Sequence, residues 1–268
     1  MVHRSGPRLS GLFVLAAALL LAGCAQNPPA GEVYDPIEPW NRKVFWFNQQ
    51  VDTYVLKPAS DAYIYVTPEP ARKGVTNFFT NSLYPSTILN NFLQGKVAAG
   101  LTDVMRFMVN TTLGVGGLFD PATAMRLPAH NEDFGQTLAV WGLGPGPYLE
   151  LPVLGPSNGR DIFRLPVDWF MNVYPGVINN VPAEAGLTAT NVVNTRANLD
   201  KAIEIRRESA LDPYVFTRSA YDQRRTNMIY DGNPPEQDLF DDAFFEDMDG
   251  EPAAEPPAPD GGAAPAED

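Results

Sequence analysis

The 268-residue chain has few of the residues that most enzymes and metalloproteins use. It contains one cysteine, Cys24, and two histidines, His3 near the N-terminus and His130. A single thiol closes no intramolecular disulfide, and one imidazole beyond the N-terminal region supplies no four-ligand zinc site. We therefore expect no metal site, no cofactor beyond a covalent modification of the cysteine, and no catalytic set.

Basic residues are also scarce, with 19 Lys and Arg against 32 Asp and Glu and a formal net charge of -13. Every charged residue from 231 to 268 is acidic, so the remaining body is close to neutral. A nucleic-acid-binding protein needs a basic surface to displace counterions from phosphates, and this chain has none. Residues 231–268 are rich in Asp, Glu, Pro, Ala and Gly, which predicts a disordered acidic tail.

No nucleotide-binding motif is complete. Gly95-Lys96 lacks the upstream glycine and the following Ser or Thr of a P-loop. Gly114-Val-Gly116 has Phe119 where a dinucleotide motif needs glycine. The sequence therefore gives no indication of an ATP or NAD site.

One hydrolase motif is present, because Gly155-Pro-Ser157-Asn-Gly159 matches Gly-x-Ser-x-Gly. In α/β-hydrolases the catalytic histidine follows the serine, whereas His130 precedes it. Pro156 also occupies the point where a strand should turn into a helix. A simple turn is the favoured interpretation, and a lipoprotein phospholipase using Ser157 is kept as an alternative.

The N-terminus has the pattern of a lipoprotein signal peptide. Arg4 and Arg8 precede an apolar run that ends in Leu21-Ala-Gly-Cys24, so residues 1–23 are predicted to be removed. Cys24 would then carry an N-acyl group and S-linked diacylglycerol. Residues 24–36 lack an apolar period and are predicted to be a flexible tether. No segment beyond the signal reaches 18 uninterrupted apolar residues.

Apolar residues at helical spacing predict helices through most of the region 37–230. A stripe from Trp40 to Tyr54 predicts a first helix that ends before Pro58. A second helix is expected from residue 71 and should stop at Pro85.

Ser86 is then expected to cap a further helix, weakened at Gly95. Asn191–Arg207 predicts another helix. Asp212, followed by proline, is expected to cap the last one.

Glycines and prolines interrupt the middle of the chain. A cluster of three glycines before Asp120 predicts a turn or a close backbone approach. The short alternating segment 142–154 predicts a hairpin or an extended lid. Residues 162–181 are aromatic and apolar, which favours a position along a bilayer surface or in a core.

With these residues in view, the chain from Asp35 to Ile229 resembles the MlaA/VacJ family of outer-membrane lipoproteins. The resemblance lies in a series of short motifs: Asp35–Arg42, Phe47-Asn48, Arg72–Phe78, Asn90–Gly95, Arg106–Asp120, Glu132–Leu138, Gly146–Tyr148, Leu151-Pro152, Arg160-Asp161, Glu208–Tyr214 and Tyr221–Arg224.

The resemblance implies a mainly α-helical, ring-like domain with interfacial helices and a short hairpin. Such a ring lies in the outer membrane and passes phospholipids through a passive amphipathic channel toward the periplasm. The expected partners are phospholipid, a trimeric porin and a soluble periplasmic lipid-binding protein. A passive structural tether remains an alternative function. Residues 162–181 and Trp40–Val55 become candidates for lipid-facing surface.

The resemblance also suggests site residues. The candidate channel or turn residues are Gly114, Gly116, Gly117, Asp120, Arg160 and Asp161. The last two have a structural ion pair as their alternative. The candidate gating hairpin contains Gly142, Gly144, Gly146 and Tyr148.

We predict that Cys24→Ala will fail to be acylated and will not reach the outer membrane, because the thiol is the attachment point for lipid. Labelling with palmitate and fractionation of membranes measure both effects. A Cys24→Ala chain that is correctly placed and active would contradict the anchor assignment.

Overall fold

The computed structural model describes residues 33–173 and 180–235, and these residues form a mainly helical body with one short hairpin, as the sequence predicts. The signal peptide, Cys24 and nearly all of the acidic tail lie outside the described residues. The helices are α1 Glu38–Val51, α2 Lys57–Val66, α3 Glu69–Leu93, α4 Val97–Thr112, α5 Pro121–Ala124, α6 Phe134–Val140, α7 Arg164–Met171, α8 Val181–Asn198, α9 Asp200–Ser209 and α10 Pro213–Ile229. The strands are β1 Tyr148–Leu151 and β2 Gly155–Asn158.

The prediction that the first helix ends before Pro58 is wrong. A π-helical segment, Asp52–Leu56, follows α1 directly and leads into α2. Pro58 lies in the first turn of α2, where its missing N–H costs little and its fixed φ suits a helix. The chain therefore stays helical from residue 38 to residue 66.

The prediction that a helix stops at Pro85 is also wrong, because α3 continues through it. Buried neighbours hold this part of α3, and the hydroxyl of Ser86 donates to Asp168 Oδ1 at 2.8 Å instead of capping a helix. The helix ends instead before Gly95, whose φ of 77° suits glycine.

The C-terminal helices differ from the prediction in their boundaries. The expected helix over 191–207 is two helices, α8 and α9, which meet at Leu199. Asn180 caps α8 by accepting from the Ala183 N–H at 3.1 Å. The Asp212 cap of α10 is confirmed, since its carboxylate accepts from the N–H groups of Tyr214 and Val215.

The hairpin lies slightly later than expected and includes the hydrolase-like motif. β1 and β2 pair antiparallel, with Tyr148 opposite Asn158 and Leu151 opposite Gly155. Ser157 therefore lies within a strand.

A small aromatic cluster joins this hairpin to α1 and α10. The rings of Phe45, Tyr148 and Tyr214 are buried, with centroids 5.5 Å apart for Phe45 and Tyr214 and 6.0 Å for the two tyrosines. The near-perpendicular arrangement places ring edges against ring faces, the favoured geometry for aromatic pairs.

Residues 33–36, assigned above to the tether, contact the folded body. Val33 packs against the aromatic cluster, and the Tyr34 carbonyl accepts from the Tyr148 N–H at 2.8 Å. Asp35 pairs with Arg218 at 3.0 Å. Local composition did not predict these contacts, because they join residues that are distant in the chain.

Asn41 connects α1 to the hairpin through hydrogen bonds. Its amide donates to Asp35 Oδ1 and to the Tyr148 carbonyl, while its Oδ1 accepts from the Glu150 N–H at 3.0 Å. The side chain is almost fully buried.

We predict that Asn41→Ala lowers the free energy of unfolding by about 2–4 kcal/mol, because it removes three hydrogen bonds and leaves buried partners unpaired. Denaturant unfolding of the detergent-solubilised chain measures the change. Lys43→Ala, at an exposed position of the same helix, is the matched control and should change stability little. Equal effects of the two substitutions would contradict the role of Asn41.

Candidate functional site

The interior of the described residues is mainly polar. The buried polar and charged side chains include Asn41, Asn90, Asn91, Asp103, Arg106, Asn110, Asp133, Gln136, Thr137, Glu150, Arg160, Asp161, Asn194, Arg196 and Arg225, whereas the buried apolar ones are Val44, Phe45, Phe79, Tyr84, Ala122, Tyr148 and Tyr214. A polar group removed from water needs a partner, since leaving it unpaired costs about 1–3 kcal/mol. The contacts of these side chains therefore organise the fold.

The exterior shows the opposite character. Large apolar side chains are exposed on α1, on the glycine-rich turn and on α7, among them Trp46 at 63%, Phe119 at 64% and Phe170 at 81%. Exposed apolar side chains in this number favour contact with a membrane or with another protein. Within 33–173 and 180–235, no helix combines the length and the hydropathy that crossing a bilayer requires.

Arg225 on α10 joins two buried carboxylates. Its guanidinium donates to both oxygens of Asp133, at 2.5 and 2.9 Å, and its Nε lies 2.7 Å from Asp161 Oδ2. Asp161 also pairs with Arg160 at 2.9 Å and accepts from the Tyr221 hydroxyl at 2.7 Å. These five residues form the Arg225 cluster. The geometry favours the ion-pair interpretation of Arg160 and Asp161, while a role in a channel stays a prediction.

The charges of this cluster shift the ionisation of its carboxyl groups. Burial raises the pKa of Asp133 and of Asp161, but their partners together outweigh it and hold both pKa values below the ordinary value of 3.8. These partners are Arg225 and the Gln136 N–H at Asp133, and Arg225, Arg160 and the Tyr221 hydroxyl at Asp161. Both groups are therefore charged at neutral pH.

A second cluster surrounds Arg106 on α4. Its Nη2 donates to both oxygens of Asp120 at 3.0 Å, and its Nε donates to the Tyr84 hydroxyl at 2.7 Å. Asp120 also caps α5 through the Thr123 N–H, while Asn110 donates to its Oδ1 at 2.9 Å. These contacts place Asp120 at the N-terminus of α5, and its role as a channel or turn residue stays a prediction.

The glycine-rich turn before Asp120 requires glycine for two different reasons. A Cβ on Gly114 would lie 2.3 Å from the carbonyl oxygens of Asn110 and Phe119. Gly117 has a φ of 91°, and a Cβ there would lie 2.6 Å from Cβ of Asn81. Gly116 has a φ of 70°, a backbone conformation that favours glycine, although a Cβ there would have no atom within 4 Å.

The predicted gating hairpin is held by α1. Asn48 donates to Glu150 Oε1 at 2.8 Å and accepts from the Val153 N–H at 2.7 Å. Tyr148 is buried and donates to Glu150 Oε2 at 2.6 Å. Gly142 and Gly146, with φ of 94° and 65°, and Gly144 lie in the preceding loop. The gating role stays a prediction, and any such movement would have to break these bonds.

The contacts of Ser157 and His130 do not support a hydrolase. Ser157 is buried in β2, and no described residue donates to or accepts from its Oγ. His130 instead places its Nδ1 3.1 Å from Asp103 Oδ1. A turn and a helix do follow β2, but Ser157 lies inside the strand and is buried, whereas a catalytic serine is exposed at the turn between strand and helix.

Two cavities flank the helical segment from residue 49 to residue 61. An apolar groove of about 660 Å³ lies between this segment and α8 and is lined by Val55, Leu56, Ala59, Val181, Ala185, Ala189 and Val192, with Glu184 and Thr188 among its polar residues. A polar cavity of about 640 Å³ lies against α9 and the start of α10. The described residues contain no group of three or more Asp, Glu, His or Cys side chains placed to hold a metal ion.

The fold and this distribution of polar and apolar surface define a mainly helical protein with a polar interior and an apolar exterior suited to a membrane or to another protein. Comparison with protein families then shows the particular group: residues 33–228 match the model of the MlaA lipoprotein, and the chain belongs to that family.

The matches to two relatives named for phospholipid transport cover nearly the full length of those relatives. The Escherichia coli K12 protein named intermembrane phospholipid transport system lipoprotein MlaA is 35% identical over 257 residues, which cover 91% of this chain and 99% of the relative. The Haemophilus influenzae protein of the same name is 31% identical over 88% of this chain and 97% of its own length. A Rickettsia felis protein is 37% identical over 72% of this chain and 77% of its own.

A solved structure has the same fold. It is described as the structural basis for maintenance of bacterial outer membrane lipid asymmetry and shares 34% identity with this chain. The TM-score is 0.64, with 74% of this chain and 99% of the other covered. The expected family is thereby confirmed.

Arg106, Asp133 and Arg225 were not identified as candidates from the sequence. Their partners lie far away in the chain, since Asp133 and Arg225 are 92 residues apart. A usable signal was the series of asparagines within helices, including Asn81, Asn90, Asn91 and Asn110, because asparagine is a poor helix former and is retained there for its hydrogen bonds.

We predict that Arg225→Gln lowers the free energy of unfolding by about 3–5 kcal/mol at pH 7, because buried Asp133 loses its charge partner and Asp161 keeps only Arg160. Arg224→Gln, at the exposed neighbouring position, is the control and should leave stability nearly unchanged.

The pH dependence of this difference gives a second measurement. In the parent chain both carboxyl pKa values are lowered, so their stabilisation is present above the ordinary value of 3.8 and is lost as pH falls through the folded values. In Arg225→Gln, burial raises the pKa of Asp133, which has lost the guanidinium it was paired with, and protonation of this group relieves the penalty. The stability difference should therefore shrink as pH falls from 7 to 3, and a constant difference would contradict the argument.

Proposed function

We propose that this chain is an outer-membrane lipoprotein, anchored on the periplasmic side through acylated Cys24, that gives phospholipids a passive route from the outer leaflet toward a periplasmic carrier. Membership of the MlaA family supports the proposal, as do the relatives named for intermembrane phospholipid transport. We further propose a trimeric porin and a soluble periplasmic lipid-binding protein as its partners.

The observation that carries this proposal is the polar interior beneath an apolar exterior. Two sixteen-carbon acyl chains, at about 0.8 kcal/mol per CH₂, oppose transfer into water by on the order of 25 kcal/mol. The phosphate and headgroup, in contrast, are costly to place in hydrocarbon. A lipid-conducting protein must supply both environments side by side, and the two cavities beside α2 have this contrast.

In this proposal the chain itself supplies no energy for transport. Because the sequence contains no complete nucleotide-binding motif, the direction of movement comes from the lipid gradient or from the partners. The chain acts as a path and does not cleave its cargo.

We predict that the chain lowers the amount of phospholipid in the outer leaflet of a Gram-negative strain that lacks its own family member. Labelling of surface-exposed phospholipid measures this. The double substitution Trp169→Glu with Phe170→Glu should abolish the rescue, because it places charges on an exposed apolar face of α7 that would have to enter lipid.

Ser157→Ala is the matched control, since it removes a buried hydroxyl that has no described partner. Full rescue by Ser157→Ala supports transport and contradicts a serine phospholipase. No rescue by the parent chain, when it is present in the outer membrane, would overturn the proposed function.

A further inference from the structure

The lining of the polar cavity beside α2 contains more cations than carboxylates. Its lining includes the carboxylates of Asp52 and Asp61 and the cations Lys57, Arg206 and Arg207. Its volume of about 640 Å³ falls within the ordinary range of small-molecule sites.

Both carboxylates already have cationic partners. Asp52 accepts from Nε and Nη2 of Arg196, and Asp61 accepts from Lys57 Nζ at 2.9 Å. Their negative charge is thus neutralised by close contacts on the cavity wall.

The two arginines of α9 differ in this respect. No carboxylate of the described residues forms an ion pair with Arg206 or Arg207. Within 33–173 and 180–235, the buried Nε of Arg206 has no hydrogen-bond acceptor, and its Nη1 donates to Thr217 Oγ1 at 3.4 Å. Its guanidinium carbon lies 5.6 Å from the centre of the Phe45 ring.

This lack of a counter-ion distinguishes Arg206 from the other arginines in the interior. Burial lowers the pKa of Arg206, and the distant carboxylates of Asp52 and Glu150 do not compensate. For Arg196 and Arg225, burial acts in the same direction, but their carboxylate partners raise the pKa. A partly buried cation with free donors is suited to an anion from outside the chain.

We propose that this cavity binds the phosphate of a phospholipid headgroup, with Arg206 as its main ligand and Arg207 as a second cation. The guanidinium is planar and presents paired N–H donors, which match two oxygens of a phosphodiester. The inference rests on the proposed function and adds a specific headgroup site to it. The apolar groove on the other side of the same helical segment offers a place of matching polarity for acyl chains.

The test uses the full chain, purified in a non-ionic detergent and titrated separately with phosphatidylglycerol, with diacylglycerol of the same acyl chains and with inorganic phosphate. Native mass spectrometry gives the affinities, and thermal unfolding gives the stabilisation by each ligand. Arg206→Gln should weaken phosphatidylglycerol binding about tenfold and leave diacylglycerol binding unchanged. Arg207→Gln should have a smaller effect in the same direction.

Lys201→Gln is the matched control, because it removes one positive charge from an exposed position of α9 outside the cavity. In the absence of lipid, the Tm of Arg206→Gln should equal or exceed that of the parent chain, because a partly buried charge that no described carboxylate neutralises has been removed. A lower Tm together with equal losses of phosphatidylglycerol and diacylglycerol binding would assign Arg206 a structural role and overturn the inference.

The remaining outcomes separate this inference from the proposed function. Phosphatidylglycerol affinity that is the same in Arg206→Gln and Lys201→Gln overturns the headgroup site alone. Inorganic phosphate that displaces phosphatidylglycerol at equal concentration would assign the cavity to free phosphate. A parent chain that binds no phospholipid overturns both, whereas rescue of the outer leaflet by Arg206→Gln at the parent level removes only the headgroup site.

Discussion

The structure depends on one constraint, which is that each polar group withdrawn from water must find a partner. In this chain the constraint applies with unusual force because asparagines, aspartates and arginines fill the interior while large apolar side chains face outward. Hydrogen bonds and ion pairs therefore determine which helices meet. The Arg225 cluster joins α10 to the residues beside α6 and the hairpin, and Asn41 joins α1 to the hairpin. Apolar packing contributes a small aromatic cluster at the centre of these contacts.

The sequence predicts those features whose causes are local. The Asp212 cap, the glycine-rich turn and the hairpin follow from residues a few positions apart, and the family follows from short motifs. The helix ends assigned to Pro58 and Pro85 were wrong because surrounding structure overrides a single breaking residue. The pairings within the polar clusters could not be predicted, since they join residues far apart in the chain, such as Asp133 and Arg225. The spacing of apolar residues also does not say whether a stripe faces a core or a bilayer.

The same arrangement connects the fold to lipid movement. Apolar side chains on the outside are suited to contact with hydrocarbon. Within the described residues, no helix is both long and apolar enough to cross a bilayer. Polar side chains inside can solvate a headgroup, provided that some of them are not already satisfied by one another. Most of the buried charges are paired, but no described carboxylate pairs with Arg206. In our proposal the phosphate of a phospholipid supplies the missing negative charge.

The outward-facing apolar side chains also reverse the usual pattern of mutational tolerance. In a water-soluble domain, surface positions accept most substitutions and core positions demand a particular apolar shape. In the lipid environment that we propose, the exposed positions, such as Trp46 and Phe170, need only remain apolar, because liquid hydrocarbon adapts to any such shape. The buried positions demand a particular set of donors and acceptors, so that even Asn41→Asp, nearly equal in volume, changes the pattern. We therefore expect the sequence of this fold to vary among apolar residues at the exposed positions and to be restricted at the buried polar positions.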